Sequence, residues 1–387
     1  MPMPVFLDHQ STTPVDARVF EAMRPWFVEA YGNPHSSDHA WGWAAEAAVE
    51  TARARIADLI GAHRSEIIFT SGATESNNLA LQGVAPNLAP DRRHIIVTAT
   101  AHACVAGVAD LLEARGHPVT RLYPARDGRI SADAVEAALR PDTGLVSIEA
   151  AHHELGTIQP IEEIARRLSA RGIVFHTDAA QAAGKIALDV GSGIDLMSLS
   201  AHKMYGPKGV GALYVRRRPG LELTPLFAGG GQQRGLRPGT VPVPLAVGFG
   251  EACRVAGDEM SADAQRLRAL RDGLLDGLRA GIPGLVVNGT MTDRLPHNLN
   301  VQLPGMVAID LIHELRETIA ISTGSACASA ELAPSPSLLA IGCTEAEALS
   351  SVRIGLGRST TEAHISTAIA AIVDTYRALA GPAPLVA

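Results

Sequence analysis

The stretch Ser200-Ala-His202-Lys203-Met-Tyr-Gly206-Pro-Lys-Gly209 decides how this chain is read. The apolar run before it, Asp195-Leu-Met-Ser-Leu-Ser200, predicts a buried strand that delivers Lys203 into a tight Gly/Pro turn. Upstream, a second strand-like run ends in His176-Thr-Asp178-Ala-Ala-Gln181. A lysine and an aspartate therefore each stand at the end of a strand. A lone lysine in such a turn is ordinarily a surface residue, and Lys208 in the same turn is read as structural. Asp178 by itself is as readily an N-cap. Together they read differently, because a carboxylate among small apolar residues needs a cationic partner.

Working outward, short apolar runs alternate with amphipathic ones. Strands are expected over Ile67–Thr70, His94–Thr98, Val119–Leu122, Leu145–Glu149, Val174–Thr177, Asp195–Ser200 and Val210–Val215. Helices are expected over Thr74–Val84, Cys104–Arg115, Ala132–Leu139 and Ile161–Arg171. This alternation predicts an α/β domain with a mostly parallel sheet of seven strands and flanking helices. Near residue 255 the texture changes to a helix over Ser261–Ala280 and fewer strands, at Leu285–Asn288, Asn298–Gln302 and Thr318–Ser322. The expected division is a large α/β domain over 16–257 and a smaller α+β domain made of 1–15 and 258–387.

Composition narrows the function classes. The 387 residues suffice for two domains, and the net charge of −7 argues against a nucleic-acid footprint. Arg216-Arg217-Arg218, the densest basic cluster, is read as a solvated loop. No apolar run spans a bilayer, and Met1-Pro-Met-Pro-Val-Phe lacks a signal-peptide layout. Four cysteines without CxxC spacing fit free thiols in a reducing cytoplasm.

Several constellations carry chemistry. Phe69-Thr-Ser71-Gly72-Ala73-Thr74 ends a strand, turns on small residues and starts a helix, the arrangement that offers backbone N–H groups to a phosphate. Ordinary capping by Ser/Thr/Gly is the plainer reading of that segment alone. Ser200 and His202 flank Lys203 at positions suited to the same phosphate. A lysine able to form a Schiff base and an aspartate holding a ring nitrogen protonated are the requirements of pyridoxal phosphate (PLP). Cys327 lies in Ser322-Thr-Gly324-Ser-Ala-Cys327-Ala-Ser329, among small polar residues that suggest an exposed, mobile loop continuing through Ala333–Ser337, and is the leading nucleophile. Cys104, Cys253 and Cys343 read as packing residues. Arg353, alternating with apolar residues in Ser351-Val-Arg353-Ile, suits a substrate carboxylate or, equally, a structural salt bridge.

These residues resemble the class V aminotransferase group of fold-type I PLP enzymes, and within it the NifS/IscS-type (group I) cysteine desulfurases. The resemblance runs nearly end to end. It includes Leu7-Asp8-His9-Gln-Ser-Thr12-Thr13-Pro14, Gly32-Asn33-Pro34, the segment from Phe69 to Asn78, Phe175 to Gln181 and Ser200 to Gly211. It continues in Gly229-Gly-Gly-Gln232, Arg237-Pro-Gly-Thr240, Gly324-Ser-Ala-Cys327 and Arg353 to Thr361. It implies Lys203 as the Schiff-base lysine, Asp178 as the pyridinium partner, Gln181 at the ring hydroxyl, and His102 stacked on the ring and active in proton transfer. Thr74, Ser200 and His202 would hold the phosphate, with Thr240 from the other subunit of a homodimer. Asn33 and Arg353 would hold the carboxylate of L-cysteine, and Cys327 would take its sulfur as a persulfide for an acceptor protein. Iron–sulfur assembly, tRNA thiolation, DNA sulfur modification and biosynthesis are all settings for such an acceptor.

The chain departs from the family pattern in three places. His152-His153-Glu154 stands where the family reads Asn-Asn-Glu, Ala101 replaces a glutamate before the stacking histidine, and Thr240 is followed by Val241-Pro242. His153 is thereby expected at the cofactor with a titratable ring. A metal site on the histidine pair is disfavoured, because adjacent side chains diverge on most backbones. These departures motivate a selenocysteine lyase or another C–S lyase as the alternative activity. A non-catalytic sulfur-carrier-binding scaffold is the alternative of a different class.

Overall fold

The computed structural model describes residues 3–324 and 333–380; Cys327 therefore lies outside the described residues. The chain opens with β1 (Val5–Phe6), α1 (Ala17–Met23), α2 (Pro25–Val28) and α3 (Ala40–Ile60). The alternating region follows as β2 (Ile67–Thr70), α4 (Ala73–Val84), β3 (His94–Thr98), α5 (Ala103–Ala114), β4 (Val119–Leu122) and α6 (Ala132–Ala138). It continues with β5 (Thr143–Ser147), α7 (Ile161–Ser169), β6 (Val174–Asp178), β7 (Leu196–Ser200) and β8 (Gly211–Val215). The remainder holds α8 (Val243–Gly281), β9 (Val286–Val287), β10 (Asn298–Gln302), α9 (Ala308–Leu315) and β11 (Ile319–Ala320). It closes with α10 (Pro336–Ala340), α11 (Glu345–Leu349), β12 (Ser351–Gly355) and α12 (Glu362–Ala380).

The seven predicted strands form one sheet in the order β2-β8-β7-β6-β5-β3-β4. Pairings from β7 through β4 are parallel, and β8 alone runs against its neighbours β2 and β7. Five of the seven strands are buried at every residue and β6 at all but its terminal Asp178, as apolar runs covered on both faces should be, while β4 at the edge is half-exposed. Because the parallel strands point one way, the segments after β3, β5, β6 and β7 gather at a single edge, where open α/β sheets place their ligands.

A second layer joins β12, β10 and β9 as an antiparallel sheet, with β1 pairing parallel to β11. Its core of Leu7, Leu299, Val301, Leu311, Val352 and Ile354 is separate from the core beneath the large sheet. The helix expected to begin at Ser261 is the second half of α8, a continuous helix of 39 residues. Gly248 and Gly250 interrupt its sequence pattern but serve packing: a Cβ on Gly250 would lie 2.5 Å from the Ala52 Cα of α3. Ala246, Phe249, Cys253 and Ala256 of α8 enter the first core, and Leu267, Leu274 and Leu278 the second.

Two local expectations fail. Arg216-Arg217-Arg218 is not a merely solvated loop, for Arg218 Nε donates to Asp195 Oδ1 at 2.6 Å and Arg216 stands 3.9 Å from the same buried carboxylate. Asp195 also accepts from Phe175 N–H, so this charge at the start of β7 needs the arginines. The loop expected through Ser337 turns instead into α10: Ser335 caps it by accepting from Leu338 N–H, and Ser335 and Ser337 are both buried.

Candidate active site

At the edge where the parallel strands end lies a cavity of about 460 Å³. Each wall comes from a strand terminus. Asp178 closes β6, Ser200 closes β7, Ser71 to Glu75 follow β2, His102 follows β3, and Glu149 and His153 follow β5.

The lysine turn is fastened by the N-terminal segment, which no local pattern could place. Lys203 Nζ donates to the carbonyls of Gln10 (2.6 Å) and Ser11 (2.8 Å). Thr13 Oγ1 donates to the His202 carbonyl (2.9 Å) and accepts from Tyr205 N–H (2.7 Å). Tyr205 adopts a left-handed backbone (φ 66°), which is costly for a bulky side chain. Its ring sits under Lys185 Nζ at 4.7 Å and the Arg358 guanidinium at 4.4 Å, and its hydroxyl accepts from Arg358 N–H. Gln181, also in the wall, donates from Nε2 to the Gln10 carbonyl.

Asp178 is held at both oxygens. Oδ1 accepts from Ala180 N–H (2.9 Å) and Oδ2 from Asn77 Nδ2 (2.7 Å). Asn77, on α4, carried no sequence signal of this role. Its Nδ2 also lies 3.1 Å from Cys104 Sγ. Cys104 thus lines the cavity as well as packing against a core, 3.0 Å from His102 Nδ1, and burial, aided by Asp178, pushes its thiol up to about 11. The helical pattern hid that Cys104 is the second residue of α5, at the cavity mouth. Cys253 and Cys343 are buried as packing residues.

His102 caps α5, its Nδ1 accepting from Cys104 N–H at 3.3 Å. Accepting there leaves the ring proton on Nε2. Burial lowers His102, and it lowers His202 to about 4, with Lys203 and Lys208 adding repulsion. Lys208 is exposed and lines the same cavity. His202 Nδ1 lies 3.0 Å from Thr12 Oγ1.

His152 and His153 do not diverge. Their rings stack at 4.6 Å and 28°, and His153 meets His102 edge-on at 5.3 Å. His152 accepts from the N–H groups of Glu154 and Leu155 at Nδ1 and faces the Thr100 carbonyl from Nε2, so its polar atoms are already engaged. His153 faces the cavity, and burial holds it well below the usual imidazole range. Glu149, expected only as a strand end, also reaches the cavity.

Asn33 and Arg353 do not line this cavity, nor does Thr240, which is expected at the partner subunit's site. Arg353 is buried and ion-paired with Asp8 (2.9 Å), its Nη1 donating to the carbonyls of His153 and Gly324, which is the salt-bridge alternative. Asn33 is exposed and accepts from His35 N–H. Thr240 is exposed, beyond the Arg237–Glu75 pair (3.0 Å) that tethers its segment to the start of α4.

The residues present fit PLP. The first intrahelical bond of α4 is Ser76 N–H to Gly72 C=O, so the N–H groups of Ala73, Thr74 and Glu75 point out of the helix end. A Cβ on Gly72 would find no protein atom within 4 Å, which leaves an open cradle in front of those donors. Ser200 and His202 add side-chain donors there, Asp178 offers a fixed carboxylate for a ring nitrogen, and Lys203 supplies the amine.

Comparison with known proteins agrees. The aminotransferase class-V family profile matches residues 5–367. The cysteine desulfurase IscS of Anaeromyxobacter sp. (strain Fw109-5) is 48% identical over 386 residues, covering 100% of this chain and 95% of that protein. A solved NifS-like protein superposes with a TM-score of 0.89 at 36% identity, covering 96% of this chain and 99% of the other. A structure described as SspA in complex with cysteine gives a TM-score of 0.81 at 41% identity, covering 91% and 98%. The chain belongs to the class-V aminotransferase family, among its NifS- and IscS-like members.

Proposed function

We propose that this protein is a PLP-dependent cysteine desulfurase, converting L-cysteine to L-alanine and passing the sulfur, as a persulfide on Cys327, to an acceptor protein. One observation carries the reading: Lys203 and Asp178 face a single cavity that ends on the open N terminus of α4. The 48% identity to a desulfurase and the fold shared with a cysteine-bound relative support the substrate.

When bound, PLP supplies an electron sink for the substrate's Cα. The N terminus of α4, Thr74, Ser200 and His202 would hold its phosphate, Asp178 would keep the ring nitrogen protonated, and Gln181 would meet the ring hydroxyl; all of them line the cavity. The Lys203 amine would take the substrate's Cα proton and return a proton to the product. His102, with its proton on Nε2, is the second proton carrier. The Cys327 thiolate attacks the substrate sulfur: an S–S bond forms, the C–S bond breaks, and its electron pair stays with the carbon that becomes the methyl of alanine.

We also propose a cytoplasmic homodimer in which Thr240 reaches the partner's site. Exposed Phe27, Tyr31, Trp41 and Trp43 supply an apolar surface for a second copy, and the described cysteines are free thiols, as a reducing compartment keeps them. Asn33 and Arg353 are assigned to the substrate carboxylate, Arg353 by exchanging Asp8 for it. His153, which faces the cavity and is kept neutral by burial rather than titrating as its sequence position suggests, favours a second reading, a C–S or selenocysteine lyase that releases its product without Cys327.

The test is direct. PLP-loaded protein reduced with borohydride is expected to carry the label on Lys203. L-cysteine is expected to give alanine and Cys327-bound persulfide together. A Cys327→Ala variant with undiminished alanine production overturns the persulfide route in favour of the lyase, and a protein that takes up no PLP overturns the enzyme reading.

A further inference from the structure

Glu149 is a buried carboxyl in the cofactor cavity to which the proposed mechanism gives no task. Its position follows from sheet register. Ser147 of β5 pairs with His176 of β6, and their side chains meet at 2.8 Å, so they share a face. Two residues on, Glu149 and Asp178 share that face again, and the ladder continues between them through Ala150 N–H to Asp178 C=O (2.8 Å). Neighbouring strands lie about 4.8 Å apart, so Glu149 and Asp178 start from adjacent strands on the wall of one cavity.

Glu149 is also built in. Thr98 Oγ1 donates to Oε2 at 2.6 Å, and Thr100 Oγ1 stands 3.5 Å from Oε1. These donors favour the charged form, whereas burial pushes the group up and Asp178 adds to that push. The groups sharing the cavity with it are Asp178 on β6, Glu75 at the start of α4, His102 and Cys104 at the start of α5, His153 after β5, and His202, Lys203 and Lys208 after β7. Glu149 itself is held by neutral hydroxyls and directed into the site.

We propose that Glu149 is a further residue of the cofactor site, a second carboxyl beside Asp178 whose ionisation sets the pH response of the lysine-linked cofactor. This rests on the PLP reading above. A negative charge at Glu149 favours the protonated form of the cofactor's nitrogens, so losing that charge makes them release protons at lower pH.

The experiment titrates the visible band of PLP-loaded protein, with borohydride labelling of Lys203 as a parallel readout. Glu149→Gln is expected to move the midpoint down by about one pH unit. Thr98→Val removes a donor that stabilises the carboxylate, keeps Glu149 protonated to higher pH, and is expected to move the midpoint the same way by less. An unmoved midpoint in Glu149→Gln overturns the proposal while leaving the cofactor reading intact. Should Glu149→Gln fail to fold, an unmoved midpoint in Thr98→Val does the same. No visible band and no label on Lys203 in the parent protein overturns both readings.

Discussion

Lys185 Nζ donates to the backbone carbonyl of Lys203 at 2.7 Å, so one buried lysine fixes the turn that presents the other. The same Nζ lies over the ring of Tyr205, whose left-handed backbone completes that turn. Lys185→Met removes the donor and leaves a strained turn less supported. The expected result is a loss of about 1–3 kcal/mol in urea denaturation, with slower borohydride-trappable uptake of PLP at Lys203. A variant as stable as the parent, with unchanged uptake, would show that the turn holds itself.

Glu154 predicts a pH dependence of stability. Its carboxylate accepts from Ser335 Oγ at 2.7 Å, while Oε1 is buried without a partner. Burial raises it to about 7, against the pull of the Ser335 hydroxyl. Between its unfolded value and about 7 the folded chain binds more protons, so stability falls as pH rises through that window and stays reduced above it. The contribution is at most about 3 kcal/mol. His152 and His202, both lowered to about 4, tilt the profile the opposite way below neutrality, so the parent must be compared with Glu154→Gln at each pH. The variant is expected to gain relative stability above about pH 7 and none near about pH 5; a constant difference would refute the assignment.

Asn77 tests the support of Asp178. Asn77→Leu removes the 2.7 Å donor from Oδ2 at similar volume. Hydrogen bonds to charged groups contribute about 1.5–3 kcal/mol, so PLP is expected to dissociate at least about tenfold more readily. Equilibrium dialysis against PLP measures it, and an unchanged affinity would mean that Ala180 N–H suffices.

His153→Asn is expected to keep the cofactor within about twofold of the parent affinity, because among the described residues the imidazole makes ring contacts, with His102 and His152, and no side-chain hydrogen bond. Loss of the visible band from this variant would make His153 a residue that holds PLP.

Gln233 is buried in a left-handed conformation (φ 48°), and its Oε1 accepts from Phe69 N–H (2.9 Å) and Arg53 Nη1 (3.0 Å). Gln233→Ala strands the Phe69 amide and is expected to cost about 1–3 kcal/mol by thermal or urea denaturation.

What the sequence revealed was local. The strands ending at Asp178 and Ser200 were legible because an apolar run followed by small residues has few other uses. Thr74 was legible for the same reason. The contacts that complete the site are remote. Gln10 and Lys203 meet across 193 residues, and Asn77 and Asp178 across 101, so no local pattern reports them. Glu149 looked like the end of a strand, since its role depends on register and on threonines at and just past the end of another strand. Gly248 and Gly250 lie inside α8, and helical propensity carries no information about a neighbour that needs the space of a missing side chain. Arg353 was open between two partners, and Asp8, far off in sequence, is the one it holds.

The continuity of α8 has a mechanical consequence. One rod is bolted into both hydrophobic cores, through Phe249 at one end and Leu274 at the other. A hinge between two such cores would require this rod to bend, and its unbroken backbone offers no joint. The distance between the lysine turn and the sheet that carries Arg353 is therefore set as a strut sets the span of a frame, and adjustment during turnover falls to side chains and loops.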